Sequence, residues 1–504
     1  MELNQNIKFD TEPLENKQIA NNQKESFNWA ELLACISVST TNLHTGFTVG
    51  FSAIITSQLE NSIELDNLNK SDITWIASSA SIATSIGCLF IAYSLDKIGR
   101  IRTFKLSLWP CFIGWLLIAI AQNSFTVIIG RILTGFSMSV GTNSANVYMA
   151  EITNPKLRGS MMSIGSVMSS FGIVFMYTVG MFFHWRVLAW MAFFSAIVPV
   201  FMTTLWTPES PMWLVCNGKN NKALKSLQYF SSNSKNVNAG KDKLEELIQI
   251  KQKKDLMLCR NVEESSGIRR ILWHMSQPIC YKPIIIMALF FLLQQYTGIY
   301  TIQFYIVDIF KDIAKGIDKK IATILFGVAR LILSIIATGI LHNYGRRPLC
   351  ISTGITMGYS LLVAGICVKL RANGIANVAI IWTPLLCMIL YISAGSVGLM
   401  LIPWMMPSEM LPTEVKGLFL GPLMGWCNFV MFSSVHSYSY LLSNLGMFGT
   451  LWCYSGISFL TVLFIWIFVP ETHNTKLCQI EEYFKDHTIY LLKNKPIVSN
   501  RLHV

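Results

Sequence analysis

Long apolar stretches dominate this sequence, and a few polar side chains within them are of types that bind ligands. Gln294 and Gln295 lie side by side in one such stretch, and Arg330 lies about half-way along the next. A carboxamide both donates and accepts hydrogen bonds, and a guanidinium carries several N–H donors, so these groups suit a polar small molecule. A glutamine pair in a membrane helix joins neighbouring helices as often as it binds a ligand, and the residues alone leave both roles open.

Charged side chains lie at the ends of the apolar stretches, and their pattern occurs twice. A glycine turn with arginine reads LDKIGRIR at 95–102 and LHNYGRRP at 341–348, and carboxylates end further stretches at matching places in both halves. We expect ion pairs between the halves that hold an inner gate shut, because a gate needs a contact with two states; the alternative is ordinary interface charge. The expected network is Asp96, Arg100, Arg131, Glu151, Arg158, Glu209, Arg346, Arg347, Glu409, Lys416 and Glu471. Duplicated helical bundles that meet around a central path are the plan of a secondary transporter.

The composition indicates a membrane protein. Hydrophobic residues make up 52% of the 504 residues and charged residues 13%, whereas a soluble domain carries about 25% charge. Many apolar runs reach the ~20 residues that cross a bilayer. The net charge of +12 is spread over loops and one polar insert, with no basic stripe among exposed aromatics, so we expect no nucleic-acid binding.

Other site chemistry is not indicated. The twelve cysteines form no CxxC pair and mostly lie in apolar runs, which favours small core residues over disulfides or zinc. The sequence has no nucleophile–base set, metal cluster or phosphate loop, so we expect no enzyme activity, no metal and no cofactor. The polar N-terminus up to about Phe27 lacks the pattern of a signal peptide.

Hydropathy predicts twelve membrane spans in two halves. They lie near 30–57, 72–95, 104–122, 125–150, 160–182, 186–206, 282–307, 318–342, 349–370, 376–406, 417–442 and 447–469. We therefore expect an all-α membrane protein of five segments. These are a tail at 1–29, a six-helix bundle at 30–206, a polar insert with helices at 207–281, a second six-helix bundle at 282–469 and a tail at 470–504. The insert contains KDKLEELIQIKQKKDL at 241–256, which is an amphipathic helical pattern.

The lysine-rich insert is expected on the cytoplasmic side, since cytoplasmic loops carry an excess of Lys and Arg. An even number of spans then places both termini in the cytoplasm, and the plasma membrane is the expected location. The loops of the first half agree with this orientation, whereas the outer loop after span 7 is itself rich in lysine. Asn69-Lys70-Ser71 is the only glycosylation sequon and lies in the first predicted outer loop, so Asn69 is a candidate glycosylation site.

Several motifs occur in order along nearly the whole chain. Beside the two glycine–arginine turns these are VYMAEITNPKLRG at 147–159, PESPMWL at 208–214, QQYTGIY at 294–300, PWMMPSEMLPTEVKG at 403–417 and VPETHNTKL at 469–477. With these motifs the chain resembles the sugar porters of the major facilitator superfamily, and in style the insect facilitated trehalose transporters. The resemblance implies twelve helices that move a sugar by alternating access.

The resemblance also implies a sugar site with two matching parts. The helix 7 glutamines of the family hydrogen-bond the sugar, which assigns this role to Gln294 and Gln295. The helix 10 tryptophan beside the sugar corresponds to Trp404, next to a hinge at Pro403. Amides for the hydroxyl groups and an aromatic face for the ring fit the chemistry of a sugar.

Other sugar-contacting positions of the family carry different residues here. Tyr300 takes the place of an asparagine of helix 7, and Arg330 that of an asparagine of helix 8. Cys427 takes the place of an asparagine of helix 11, although the adjacent Asn428 could serve if the helix rotates. Ser166, His342 and Met212 are further departures, the last two at the inner gate. The pocket has therefore lost several carboxamides.

Arg330 is the costliest of these departures, because an unpaired cation at this depth costs several kcal/mol. The sequence places no Asp or Glu in the middle of a span to pair with it. Three roles remain open. Arg330, with or without His44, binds an anionic substrate; it donates to sugar hydroxyls or backbone carbonyls; or it caps carbonyls at a helix break.

The scarcity of acids also bears on the energy source. Proton-coupled sugar porters resemble this chain but carry an aspartate in helix 1, where this sequence has Thr48. His44 is more often a packing residue than a proton relay, so facilitated diffusion is favoured. We expect a monomeric uniporter for a hexose or trehalose that bends at Gly298, Gly398 and Pro403. The alternatives are an organic-anion carrier that uses Arg330, or a sugar sensor that does not transport.

Overall fold

The computed structural model describes residues 29–60, 69–153, 158–230, 241, 244–249, 251–252, 277–313, 318–375, 377–473 and 483–484. Helices make up nearly all of these residues, which confirms the predicted all-α class. The predicted tails at 1–29 and 470–504 lie almost wholly outside the described residues.

Six membrane spans form the first half of the described chain, and their bounds agree with the hydropathy prediction within a few residues. Span 1 is Trp29–Leu59, span 2 Lys70–Ile98, span 3 Arg100–Ala119, span 4 Ser124–Ile152 and span 5 Arg158–Gly180, and span 6 consists of Trp185–Ser195 and Ile197–Trp206. Proline at N1 and serine at the N-cap then start the short helix Pro211–Cys216, and Asn220–Phe230 follows.

The expected amphipathic helix of the insert is only partly described. Residues 244–249 and 251–252 are helical, and residues 253–256 lie outside the described residues. Leu244, Leu247 and Ile248 pack against Trp213 and Leu214 of the short helix after span 6. The apolar face of the insert therefore covers the helix that ends the first half.

The second half contains interrupted spans. Span 7 consists of Pro278–Tyr296 and Ile299–Phe304, and a further helix, Ile306–Ile313, continues beyond it; span 8 is Lys319–Asn343, span 9 Arg346–Ala372, and span 10 consists of Val378–Val397 and Ile402–Met410. Spans 11 and 12 form one helical stretch, Thr413–Phe468, with a break at Gly446, where φ is +66°. Glycine adopts this left-handed φ at little cost, which allows the chain to turn back.

Ten helical stretches of the described chain are long and apolar enough to cross a membrane. One of them, Phe419–Phe468, has 50 residues, more than twice the ~20 that a crossing needs, and divides at Gly446 into two spans. Trp29–Leu59 is long enough with its 31 residues but is rich in Ser and Thr, and most of its residues are buried among other helices. With these two adjustments the described helices are numerous enough for twelve crossings, and the count of twelve stays a prediction.

Small residues allow the spans of the first half to approach closely. A Cβ atom at Gly46 of span 1 would lie 2.1 Å from Ser169 O of span 5, and one at Gly135 of span 4 would lie 2.2 Å from Ala80 O of span 2. Backbone contact of this kind replaces the hydrophobic driving force that is missing between helices in lipid. Gly135 therefore allows spans 2 and 4 to pack closely.

The bundle has two ends, which we name by the insert. The insert end contains the glycine–arginine turns and the helices after span 6, and the far end contains Leu59, Ala119 and Ile313. Polar contacts between described residues join the two halves at the middle and the far end of the spans. They include Glu60–Lys311 at 2.9 Å, Thr74–Ser439 at 2.9 Å, Ser78–His436 at 3.1 Å, Thr84–Asn428 at 2.9 Å, Cys88–Asn428 at 3.5 Å and Tyr177–Gln303 at 2.8 Å. The far end is therefore closed in this arrangement.

Candidate substrate-binding site

Span 7 is broken at its centre, and the break forms one wall of the candidate site. Gly298 adopts a φ of +85°, which residues with a side chain rarely adopt. A Cβ atom at this position would lie 2.5 Å from Cδ2 of Tyr454, so the packing also requires glycine. The hydroxyl of Tyr391 donates to Thr297 O at 3.0 Å and satisfies a carbonyl that the break exposes.

Three glutamines of span 7 use their donors and keep their acceptors free. Gln294 Nε2 donates to Leu399 O at 3.0 Å, and Gln295 Nε2 lies 3.2 Å from Cys427 Sγ. Gln303 lies beyond the break, and its Nε2 donates to the carbonyl one turn earlier. All three Oε1 atoms are buried and have no hydrogen-bond partner among the described residues. Because buried polar atoms are normally paired, these oxygens mark places for ligand hydroxyl groups or water.

Gln303 was not among the residues that the sequence analysis singled out. It follows Gln294 by nine residues in the same span. A third carboxamide beyond a glycine that interrupts the helix was the available signal, because polar side chains at this depth usually face a partner or a cavity.

Tyr300 and Trp404, both expected at the site, are in direct contact. Trp404 Nε1 donates to the Tyr300 hydroxyl at 3.0 Å, and the Trp404 ring packs 5.8 Å from the Phe291 ring between centroids. Trp404 lies on the short helix that begins at Ile402, just after the break in span 10. The tyrosine therefore occupies the indole donor, and the indole presents its ring surface to the site.

Arg330 reaches the same region from span 8. Its side chain is only 7% exposed, and Nη1 is buried with no hydrogen-bond partner among the described residues. Tyr177 and Tyr300 are the ionisable groups that act electrostatically on it, and no described carboxylate does so. The Tyr177 hydroxyl donates to Gln303 O at 2.8 Å. Because Tyr177 also acts electrostatically on Arg330, the free donor of Arg330 lies near the glutamines of span 7, at Gln303.

Asn428 lies elsewhere, at the interface of spans 2 and 11. Its Oδ1 accepts from Thr84 Oγ1 at 2.9 Å, and its Nδ2 donates to Met424 O at 2.8 Å and lies 3.5 Å from Cys88 Sγ. Both ends of the carboxamide are engaged by protein in this arrangement. A substrate contact by Asn428 therefore requires the two halves to separate along this interface.

Arg131 was expected in the ion-pair network, and the structure corrects this. It lies twenty residues before Glu151 on span 4, which is about 30 Å at 1.5 Å per residue. Its Nη1 donates to Thr48 O at 2.9 Å, its Nε to Ile76 O at 3.2 Å, and its Nη2 to Ser52 Oγ. Arg131 therefore ties spans 1, 2 and 4 together through carbonyl and hydroxyl groups.

The first glycine–arginine turn does form an ion pair. Arg100 Nη2 lies 2.7 Å from Glu151 Oε1, and Nη1 donates to Leu95 O at 3.0 Å. Glu209 accepts from the backbone N–H of Arg100 at 2.9 Å and so caps the N-terminus of span 3. Asp96 is exposed and lies 3.4 Å from Arg100.

The second turn repeats this arrangement. Arg346 Nη2 lies 3.5 Å from Glu409 Oε1, and Nη1 donates to Leu341 O at 3.0 Å. Glu471 accepts from the backbone N–H of Arg346 at 2.9 Å and of Arg347 at 3.1 Å. In each half, the carboxylate that follows the last span therefore caps the start of the third span. Glu209 caps span 3, and Glu471 caps span 9.

In this arrangement, in which the far end is closed, the described ion pairs at the insert end join elements of a single half, because each repeat brings its own carboxylate to its own turn. Ion pairs between the halves that hold the insert end shut stay a prediction. A hydroxyl completes each cluster, since Ser210 donates to Glu151 and Thr472 to Glu409. The side chains of Arg158 and Lys416 lie outside the described residues. The clusters brace the two halves separately.

The expected hinge positions coincide with helix breaks. Span 10 is interrupted after Val397, and Pro403 is the second residue of the helix that follows. A Cβ atom at Gly398 would lie 2.1 Å from Thr353 Oγ1, so this turn also requires glycine. Bending at these positions stays a prediction.

His44 and Asn69 have environments that bear on their expected roles. His44 is buried, with Nδ1 at 3.8 Å from Cys111 Sγ and its ring at 5.3 Å from that of Phe47. These neighbours indicate a packing role. Asn69 is exposed at the far end, directly before span 2 begins. Its glycosylation stays a prediction.

Comparison with known proteins identifies relatives over nearly the full chain. The profile of the family described as "Sugar (and other) transporter" matches residues 32–484. The facilitated trehalose transporter Tret1 of Bombyx mori is 31% identical over 461 residues, which cover 90% of this chain and 87% of the relative. Tret1 of Apis mellifera ligustica is 30% identical over 460 residues, which cover 90% and 88%.

Solved structures agree with the fold. The inward-open xylose transporter XylE of E. coli has a TM-score of 0.70 and 20% identity, with cover of 89% of this chain and 98% of that chain. The human organic anion transporter MFSD10 has a TM-score of 0.54 and 13% identity, with cover of 86% and 97%. The described helices therefore have the major facilitator fold.

Proposed function

Because this chain belongs to the family of sugar (and other) transporters, we propose that it carries a hexose, or a disaccharide such as trehalose, across a membrane by facilitated diffusion. It is a multi-pass membrane transporter and not an enzyme. The names of the insect relatives, which are facilitated trehalose transporters, support a neutral sugar as cargo.

One observation carries the proposal at the level of the site. The Oε1 atoms of Gln294, Gln295 and Gln303 are buried without partners on one broken span, and Arg330 Nη1 is an unused donor nearby. A sugar hydroxyl both donates and accepts, so it complements amide oxygens and a guanidinium together. The ring surface of Trp404 supplies the apolar face that a sugar ring packs against.

The surroundings of Arg131 support uniport over proton symport. Its three donors go to Thr48 O, Ile76 O and Ser52 Oγ, and no described carboxylate pairs with it. Proton coupling needs a titratable group next to the path, and a carboxylate is the usual choice. Thr48, which stands where the proton-coupled sugar porters that resemble this chain have an aspartate, does not titrate.

The transport cycle and the placement of the chain belong to the same proposal. The far end faces outside, the insert end faces the cytoplasm together with both termini, and the chain works as a monomer in the plasma membrane. The far end is closed, so the arrangement corresponds to a stage after the sugar has left the outer side. Rocking of the halves about the breaks in spans 7 and 10 would reopen it.

The test is uptake by the purified chain in proteoliposomes. Labelled glucose, trehalose and a panel of small carboxylates are offered with and without a pH gradient. Saturable sugar uptake that ends at equal concentrations on the two sides is expected, with no accumulation driven by the gradient. Gln295→Leu removes one neutral hydrogen bond, worth ~1 kcal/mol, and should raise KM about fivefold. Gln277→Leu, at the insert end of span 7, is the matched control and should leave KM unchanged.

Arg330→Asn distinguishes the remaining alternatives. Sugar uptake that survives or improves in this variant agrees with the proposal and makes Arg330 secondary. Carboxylate uptake that the substitution abolishes would overturn the sugar assignment in favour of an anion carrier. Absence of all flux, in protein shown to bind sugar, would identify a sensor.

A further inference from the structure

A buried carboxylate lies at the contact that closes the far end. Asp308 is on the helix Ile306–Ile313, which continues beyond span 7 in the second half. Hydroxyl groups of Thr56 and Ser57, at the end of span 1 in the first half, hydrogen-bond its carboxylate. Its Oδ1 is buried and has no partner among the described residues. The carboxylate is therefore enclosed between the two halves.

An ion pair across the halves lies beside this carboxylate. Lys311 Nζ contacts Glu60 Oε2 at 2.9 Å, and both side chains are about half exposed. Glu60 lies close enough to act electrostatically on Asp308, as does Lys311 with the opposite sign. Closing the far end therefore brings two carboxylates together and supplies one exposed ammonium between them.

Burial is the main cause of an altered titration of Asp308. Burial, and secondarily the Glu60 charge, raise the pKa of Asp308 to about 6 in the closed arrangement. Separation of the halves would expose the carboxylate and move it away from Glu60, so its pKa would return towards about 4. Protons therefore bind more tightly to the closed state than to the open one.

We propose that the far end is a proton-responsive gate in which Asp308 takes up a proton when the two halves close over it. The proton comes from the solution on the far side, and no proton needs to cross the membrane. Acidity on that side then holds the gate shut and slows its reopening. The device regulates the proposed transport without coupling it to a proton gradient.

The sign and size of the effect follow from linkage. A group with a raised pKa in the closed state favours closure below that pKa, and this contribution is lost as pH rises through about 6. Between pH 7.4 and pH 5 the closing equilibrium should rise by about tenfold. The effect levels off near the open-state pKa, because both states are then protonated.

Other charged or titratable groups lie on the helix of Asp308 and on neighbouring elements. Their effects on the pH response must be separated from the effect of Asp308. The groups lie on its own helix, on spans 1 and 11, on the end of span 9 and at the start of span 8. They are Tyr305, Lys311, Asp312, Glu60, Tyr438, Arg371, Asp318, Lys319 and Lys320. Further along the interface, His436 contacts Ser78 at 3.1 Å and can also titrate. Substitution of Asp308 itself is therefore the decisive change.

The experiment measures the gap at the far end without substrate. Spin labels are placed at Phe125→Cys and Val378→Cys, two exposed positions on opposite halves, in protein whose exposed Cys216 and Cys453 are replaced by serine. Distances are measured in lipid nanodiscs at pH 7.4 and pH 5. We expect the short-distance population to increase at pH 5 in this protein. Asp308→Asn should give the short distance at both values.

Asp312→Asn is the matched control, because Asp312 is an exposed carboxylate on the same helix. It should keep the pH response. An unchanged distance distribution in the parent protein, or a full pH response in Asp308→Asn, would overturn the proposal. This readout needs no transport, so a pH-dependent gap in protein that moves no sugar would sustain the gate while the proposed function fails.

Discussion

At the scale of single residues, two buried arginines have opposite environments. Arg131 is fully buried and gives its donors to two backbone carbonyls and a hydroxyl, whereas Arg330 keeps a buried donor unused. A buried charge that is fully hydrogen-bonded stabilises the packing around it, and one with a free donor is available to a ligand. Both lie in spans, and their partners indicate a structural role for Arg131 and a donor that Arg330 can offer to a ligand.

Substitution of Arg131 should lower stability. Arg131→Met removes the hydrogen bonds that join span 4 to Thr48 O and Ile76 O, and a hydrogen bond to a charged group contributes about 1.5–3 kcal/mol. The midpoint of thermal unfolding in detergent should fall by several degrees. Arg102→Met, at an exposed arginine of the insert end, should leave the midpoint unchanged. Equal midpoints for the two variants would contradict the structural role.

The residue types of the site were predictable, but their partners were not. The sequence placed Gln294, Gln295 and Trp404 correctly on interrupted spans, because glycine and proline next to them mark the breaks. It could not show that Tyr300 binds the indole of Trp404, since this contact needs the relative positions of spans 7 and 10. For the same reason it could not show that the described ion pairs of the insert end lie within each half, because matching charges at helix ends do not reveal which bundle supplies the partner.

At the scale of elements, the breaks in spans 7 and 10 distinguish this fold from a bundle of straight helices. Each break exposes carbonyls within the membrane, which is tolerated only where neighbouring groups or a polar cavity satisfy them. Tyr391 satisfies Thr297 O, and Gln294 satisfies Leu399 O. The two breaks are therefore connected, since a glutamine at the first binds a carbonyl at the second.

Substitution of Gly298 tests the break. Alanine would cost about 1–2 kcal/mol for the left-handed conformation, and its Cβ would meet the Tyr454 ring at 2.5 Å. Gly298→Ala should lower both the unfolding midpoint and the maximal rate of sugar uptake. Gly339→Ala is the control, because this glycine of span 8 has open space around it and should tolerate the methyl group. Normal uptake by Gly298→Ala would rule out a strained break.

Hydropathy located the spans but treated some boundaries differently from the structure. The bounds of span 6 agree closely, whereas the helix that begins span 7 starts at Pro278, four residues before the predicted position. Proline at the first helical position sets this start, and the mean hydropathy of a stretch of residues does not detect such a signal. Hydropathy also divides spans 11 and 12 at 443–446, and the left-handed φ of Gly446 shows how the chain turns there.

At the scale of the whole molecule, the two halves are braced separately and joined at one end. The arginine–carboxylate clusters hold the insert end of each half, and the polar contacts between the halves lie at the middle and far end. Two units joined in this way can rock against each other, because none of the described ion pairs at the insert end joins one half to the other.

A disulfide across the far end should stop this motion. Thr74 Oγ1 and Ser439 Oγ are 2.9 Å apart on spans 2 and 11, so cysteines there are close enough to bridge. Oxidised Thr74→Cys/Ser439→Cys protein should lose sugar uptake, and reduction should restore it. Each single variant, treated in the same way, should keep transporting. Continued uptake by protein shown to be cross-linked would exclude alternating access through this interface.

The polarity of span 1 has a consequence for how the protein is made. Trp29–Leu59 carries a run of serines, threonines and glycines that suits a position inside the bundle, and it is the one described span that fails the apolarity expected of a crossing. A helix of this kind gains little by entering lipid alone during synthesis. Its closest partner is span 5, which emerges about a hundred residues later. Span 1 must therefore stay outside the lipid core until the later spans that bury it have been made.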